Sequence, residues 1–248
     1  MSLAMRPLTT VDDHKELEAA QRAIWGDGAA IVYDQTLAAC KYGGIALGAR
    51  DGAGRLVGFC YGWPAYDGQQ VWLHSHLLGV LPAYRGRGLG ETLKREQAKV
   101  ARAQGYRRMT WTYDPLEAPN ARLNLGKLGA TARIYEVDYY GSLDDELNRG
   151  LPTDRLLVDW NLAAAEGGRV PADDAPVINP ADEWTPALSA PVLRLRLPAD
   201  FRSLHGAGRF DEVLGWRLLV RDALQHYLGR AYILVGFTDG YYVLSVGR

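Results

Sequence analysis

The chain has 248 residues, 48% hydrophobic and 23% charged, a composition that supports a buried core without disulfide or metal staples. Its 28 Lys and Arg against 29 Asp and Glu leave a net charge of −1, which gives no prior for a nucleic-acid or anionic-membrane partner, and neither is expected. Cys40 and Cys60 are too few for a disulfide framework and lack metal spacing, no run is apolar enough to span a bilayer, and no signal peptide is seen, so free thiols and a cytoplasmic location are expected.

MSLAM, with its second Met at position 5, is set aside as a possible remnant of expression. TTVDDHKELEAAQRAIW reads as a helix capped by Asp12 or Asp13 and stopped by Gly26, with Leu17, Ala20 and Ile24 on one stripe. GGIALGAR and RLVGFCYGW flank the turn composition DGAG and predict a hairpin. VWLHSHLLGV predicts a central strand, since few of its positions are polar.

The glycine-rich YRGRGLG follows, then a helix over about 89–104. Leu89, Leu93 and Val100 form its apolar stripe, and Lys94, Arg95, Lys99 and Arg102 are placed on the remaining surface. RRMTWTY predicts a strand, NARLNLGKLG a short helix, and ARIYEVDYYG and DRLLVDWNL two further strands. Residues 164–190, rich in Ala, Pro, Gly and Asp, read as a linker whose Val177, Ile178 and Trp184 are suited to docking. Over 191–248, VLRLRLP predicts a strand, GRFDEVLGWRLLVRDALQHYL a helix, and AYILVGF and YYVLSV a hairpin about TDG. The expected organisation is a domain over 5–163, the linker over 164–190, and a C-terminal β-α-β-β segment over 191–248 that packs on the first domain or on a second subunit.

Three phosphate-binding patterns compete for the glycine loop. Gly86, Gly88 and Gly90 are spaced G-x-G-x-G rather than G-x-G-x-x-G, and the lysine of a nucleoside-triphosphate loop is missing. Arg85, Gly88 and Gly90 do fulfil Arg-x-x-Gly-x-Gly at a strand-to-helix junction. With that loop at its centre, the stretch from about Val71 to Gly129 resembles the acyl-CoA-binding core of the GNAT N-acyltransferase superfamily. HSHLLGV, WTYDPLEAPNARLN and LPTDRLLVDW further resemble a little-characterised predicted-acetyltransferase branch that carries a C-terminal extension.

The resemblance implies an α/β (α+β) fold: a central mixed, mostly antiparallel, splayed sheet flanked by helices, with the smaller C-terminal segment added. It implies acetyl-CoA or another acyl-CoA, such as succinyl-CoA, as co-substrate, with no resident metal. The pyrophosphate falls to the backbone of Arg85, Gly86, Arg87, Gly88, Leu89 and Gly90. A helix N-terminus favours a diphosphate, and glycines let its amides approach. The pantetheine arm falls to backbone groups near Leu78 and Val80, one amide there polarising the thioester carbonyl. Gly79 suits a local bulge, or is simply required by packing. Asn120 and Asn124 are implied to flank the thiol, although Asn120 after Pro119 also suits a helix cap.

On an alternating strand His74 and His76 share a face. His74 falls where related enzymes place a general-base carboxylate, and a neutral imidazole can take an amine proton near neutral pH. Either histidine could instead be a core residue, or the pair two-thirds of a zinc site. Ser75 points to the other face and makes a poor nucleophile with them. The family's customary general-acid Tyr corresponds to Leu125, with Tyr113 and Tyr135 the available substitutes. Asp154 and Arg155 begin a strand beside the expected acceptor cleft; Arg155 suits a substrate carboxylate, or the two form a structural ion pair. The expected partner is a small-molecule amine, with the C-terminal segment a candidate homodimer contact. A non-catalytic acyl-CoA sensor or assembly module is the alternative.

Overall fold

The structure is a computed structural model and describes residues 3–141, 151–164, 170–181 and 183–247. The chain forms two compact units, Met1–Trp111 with Asn161–Ala165 and Thr112–Trp160 with Glu166–Arg248.

The first unit contains β1 (Ala4–Pro7), α1 (Val11–Trp25), α2 (Tyr33–Lys41), β2 (Ile45–Arg50), β3 (Leu56–Tyr66), β4 (Val71–Val80), α3 (Leu89–Ala103) and the start of β5 (Arg108–Tyr113). Strands β1 to β5 lie side by side in chain order, antiparallel except for the parallel pair β4–β5. The sheet is therefore mixed and mostly antiparallel, with β4 internal, as the sequence predicts.

Helix α1 begins earlier than its two aspartates suggest. Thr10 is the N-cap: its hydroxyl accepts from the Asp13 amide at 3.1 Å while the Asp13 carboxylate accepts from the Thr10 amide at 3.1 Å. This reciprocal box satisfies two of the helix's free donors. Two elements escape the sequence reading. The segment set aside at the N-terminus contains the first two residues of β1, which pairs with β2 through Ala4 to Pro7. Helix α2 buries only Thr36 and so shows no apolar stripe.

Helix α3 covers one face of the sheet with Leu89, Leu93, Lys94, Gln97, Ala98 and Ala101. Lys94 is thus on the buried side, not on the outer surface where its charge places it by pattern alone. The other face is packed by α1, whose Leu17 and Ala20 meet Phe59 and Tyr61 of β3.

The second unit takes the chain through α4 (Ala118–Ala121), a π-helical stretch (Arg122–Lys127), β6 (Thr131–Glu136), β7 (Arg155–Asn161), β8 (Val192–Arg196), α5 (Phe201–Gly206), α6 (Phe210–Leu228), β9 (Tyr232–Thr238) and β10 (Tyr241–Val246). Its strands are ordered β7-β6-β9-β10-β8. The β9–β10 turn places Asp239 (φ 50°) and Gly240 (φ 85°) in the left-handed region that tight hairpins need. The linker composition is tethered: Ile178 is fully buried, and Asn179 exchanges two hydrogen bonds with the Arg196 backbone. Among the described residues no helix is long and apolar enough to cross a membrane.

Candidate active site

Between β4 and α3 the chain makes a short turn, Pro82–Tyr84, and then reaches the glycines. Gly86 (φ 75°) and Gly88 (φ 76°) are both left-handed, and a Cβ on either would meet nothing within 4 Å. The glycines are needed for backbone conformation, and the space beside them is open. Gly88 is the N-cap of α3 and supplies no capping side chain. Among the described residues no side-chain cap hydrogen bond closes the first turn of this 15-residue helix. That is a fit for an anionic ligand, and a diphosphate matches it. Arg85 Nε donates to the Val80 carbonyl at 3.0 Å, which fastens the loop to the end of β4. Tyr84 donates to Asp51 at 2.9 Å, and the Arg87 guanidinium sits over the Tyr84 ring at 5.7 Å.

Strand β4 pairs with β5 only at Leu73–Met109 and His74–Thr110. Beyond His74 the edge of β4 from Ser75 to Val80 has no ladder partner in β5, the splay that the sequence resemblance implies. On the other edge, β3 pairs with β4 throughout, but the register slips between Tyr61–Leu77 and Trp63–His74. Three steps on β4 then match two on β3, so the bulge is at Ser75 and His76. Gly79 is not its site. Gly79 is glycine because a Cβ there would stand 2.5 Å from the Phe59 ring and 2.9 Å from Ile24. The glycine that serves the bulge is Gly62, whose Cβ would stand 2.6 Å from the His74 carbonyl oxygen.

The bulge brings both imidazoles against one indole. The Trp63 centroid is 5.5 Å from His74 and 4.5 Å from His76, and the histidines are 6.2 Å apart. His74 Nδ1 is 3.0 Å from Thr110 Oγ1, which also accepts from Trp72 Nε1 at 2.8 Å. Burial, helped by the charges of His76 and Lys94, brings the His74 pKa down to about 4. Burial alone lowers that of His76. Both rings are therefore neutral near pH 7. Among the described residues no group of three His, Cys, Asp or Glu side chains is placed to hold a metal ion.

Ser75 faces away from the histidines, as expected, and meets α3. It accepts from Lys94 Nζ at 2.7 Å and donates to Gln97 at 2.6 Å, while Nζ sits 3.7 Å from the Trp111 ring centroid. Burial pushes the Lys94 pKa down to about 7. The nearby Cys60 thiol is fully buried and is raised by that burial to about 12, hence inert.

The remaining sequence candidates belong to the second unit. Asn120 is the third residue of α4, whose N-cap is Glu117, so it is not the cap. Asn124 is buried within the π-helical stretch. Leu125 is buried and apolar. Tyr113 shares a hydrogen bond with Tyr242, which donates to the Pro115 carbonyl, and Tyr135 donates to Asp154. Both phenols are pushed up, chiefly by burial, which makes each a weaker acid.

Asp154 is fully buried and pairs with Arg221 through two 2.8 Å bonds, not with the Arg155 side chain. Burial pushes its carboxyl upward, but Arg221 and Tyr135 outweigh that and hold it below the ordinary value. Arg155 Nη1 donates to the Asp154 carbonyl, and its guanidinium lies over the Tyr140 ring at 5.2 Å. Arg217, one turn before Arg221, makes a bidentate pair with Asp114 at 2.7 and 2.6 Å.

Sequence reasoning missed Thr110, Gly62 and the buried side of Lys94. Thr110 has no motif of its own, and only its register with His74 across a parallel pair makes it matter. Arg217 did leave a signal: it falls on the stripe Val213, Arg217, Val220, Leu224 of α6.

Residues 12–126 match the model of the Acetyltransferase (GNAT) family. No curated protein matched the chain. Among solved structures, yncA from Salmonella typhimurium, with its cofactor acetyl-CoA, is 20% identical with a TM-score of 0.53, covering 68% of this chain and 99% of its own. The ribosomal-protein-S18-alanine N-acetyltransferase from Escherichia coli is 14% identical, with a TM-score of 0.53 and the same two coverages, 68% and 99%. Arabidopsis thaliana NAA60, in complex with a bisubstrate analogue, is 17% identical with a TM-score of 0.51, covering 64% of this chain and 99% of its own. At these identities the likeness is one of fold. The family match begins in the first turn of α1 and runs through the histidine strand, the glycine loop and α3 to the π-helical stretch, and over residues 12–126 the chain belongs to the GNAT acetyltransferase superfamily.

Proposed function

We propose that the protein transfers an acyl group from an acyl-CoA, acetyl-CoA first among them, to the nitrogen of a small primary amine. The observation that carries this is the uncapped start of α3. It is preceded by two left-handed glycines with open space beside them and follows a strand that parts from its parallel neighbour. Amides of residues 85–90 hold the diphosphate, and the free edge of β4 near Leu78 and Val80 pairs with the pantetheine arm. An amide of that edge donates to the thioester oxygen as charge develops on it. The acyl-CoA bound to the yncA neighbour supports the choice of donor.

For transfer, the acceptor amine must lose a proton, form the C–N bond and release a thiolate. A neutral imidazole of His74 or His76 takes that proton, and the same proton leaves with the thiolate. No conventional general acid is needed, since a thiolate is a good leaving group, and Leu125 supplies none. Arg155, in the second unit and 3.9 Å from Asp114, is a candidate for a substrate carboxylate from the sequence resemblance alone, and on that ground an amino acid is the favoured acceptor class. Asp154, already saturated by Arg221, Tyr135 and the Asp138 amide, orders the start of β7.

The test is free-thiol release from acetyl-CoA and succinyl-CoA against a panel of amino acids of both configurations and simple amines. Turnover that depends on both donor and amine supports the reading. Tight acyl-CoA binding with no turnover across the panel would instead mark a non-catalytic acyl-CoA module.

A further inference from the structure

Thr110 is buried, and its hydroxyl has one hydrogen and two lone pairs. The Trp72 indole can only donate, so one lone pair receives the Trp72 Nε1 hydrogen at 2.8 Å. Among the described residues, the hydroxyl's other bond is the 3.0 Å contact to His74 Nδ1. If Nδ1 carried the imidazole proton, both His74 and Trp72 would donate to Thr110, and its own hydrogen would be buried without an acceptor. The satisfied arrangement is a one-way chain, Trp72 Nε1–H to Thr110 Oγ1, then Thr110 Oγ1–H to His74 Nδ1.

We infer that Thr110 fixes His74 as the tautomer protonated at Nε2, so that His74 is a hydrogen-bond donor in the reaction and His76 is the base. This rests on the proposed acyl transfer and divides the labour within it. His74 Nε2 is not among the fully buried, unpaired polar atoms, and the ring is half-buried beside Trp63. A neutral imidazole N–H in such a place donates to an oxygen that gains negative charge, without giving up its proton. His76, on the bulge 6.2 Å away, has no hydrogen bond to a described residue at either ring nitrogen, which leaves a lone pair free. The steps balance. The amine nitrogen bonds to the thioester carbon while its proton passes to His76. The charged oxygen is held by His74 Nε2–H, the C–S bond then breaks, and His76 returns the proton to the thiolate. Thr110 and Trp72 are positioning residues, which act only through His74.

The test is long-range proton–nitrogen correlation spectroscopy on full-length, histidine-labelled protein without ligand near neutral pH. A His74→Ala sample assigns the His74 signals among the five histidines. The expected result is a protonated Nε2 and an acceptor-type Nδ1 for His74. Thr110→Val should shift this tautomer balance, and Thr110→Ser should restore it. Thr110→Val is also expected to lower kcat about tenfold, less than loss of a direct oxyanion donor, with little change in the KM for acyl-CoA. A His74 protonated at Nδ1, or a tautomer unmoved in Thr110→Val, overturns the inference. The wild-type spectrum decides even if the valine variant fails to fold. It needs no substrate, so an error in the proposed activity and an error in the tautomer are separately visible.

Discussion

A Cβ on Gly62 would stand 2.6 Å from the carbonyl oxygen of His74 and 2.9 Å from the Ser75 Cα. β4 therefore closes on β3 at the bulge only because position 62 carries no side chain. Gly62→Ala should push the strands apart and cost about 1–3 kcal/mol, the usual price of overpacking. It should also move both histidine rings relative to Trp63. A lowered urea midpoint together with shifted His74 and His76 resonances is the expected outcome. A midpoint equal to wild type would count against the bulge as described.

The pH dependence of catalysis follows from His76. The base must be neutral, and burial sets its pKa below the ordinary 6.5. With kcat/KM expressed per concentration of neutral amine, activity should thus persist below that value and fall only as pH drops through the lowered one. His76→Ala should reduce kcat/KM by roughly 10²–10⁴. A kcat/KM profile whose acid limb lies above 6.5, or a fully active alanine variant, would remove His76 from the chemistry.

Lys94 gives stability a pH dependence of its own. Unfolded, the ammonium holds its proton up to about 10.5; folded, only up to about 7. Between those values the unfolded chain binds more protons, so the fold gains stability as pH rises through the window. Below about 7 the cost of charging a buried amine is fully present. Lys94→Met removes this contribution and leaves Ser75 its bond to Gln97. The variant's advantage in urea midpoint should be largest near neutral pH and shrink by about pH 9.5, within the lysine window. A difference that does not change with pH would show Lys94 to be charged throughout.

In the second unit, Asp154 is fully buried and its partner is Arg221. Among the described residues, Arg221→Ala leaves the carboxylate with Tyr135 and the Asp138 amide, and should cost about 3 kcal/mol or more. Asp154→Asn in the same background should recover part of that loss, since it removes the unpaired charge. Denaturant unfolding of the two variants checks it, and no recovery would mean that Arg221 contributes by packing alone.

Much of the first unit was legible because its elements carry local signals: the hairpin composition, the central apolar strand and the glycines at a strand-to-helix junction. What escaped has non-local causes. The bulge belongs at His76 because of a glycine on the neighbouring strand, and Gly79 answers to Phe59 and Ile24, contacts that no spacing rule contains. A charged residue on a helix reads as solvent-facing, yet Lys94 finds Ser75 and Trp111 and stays inside. The pairing of Asp154 with Arg221 spans 67 positions, which favoured the adjacent Arg155 as its partner on paper. That His74 and His76 share a face was legible from strand alternation, but the bond from Thr110 to one of them is seen only through the parallel register.

The most direct check on the central claim is calorimetric titration of CoA and acetyl-CoA into the wild-type protein and Gly88→Asp. The substitution places a carboxylate and a Cβ where the backbone is left-handed (φ 76°) and the first turn of α3 is uncapped. Wild type should bind both ligands and the variant neither, with its fold intact by circular dichroism. Absence of heat from wild type, or equal binding by Gly88→Asp, would contradict an acyl-CoA site at this loop.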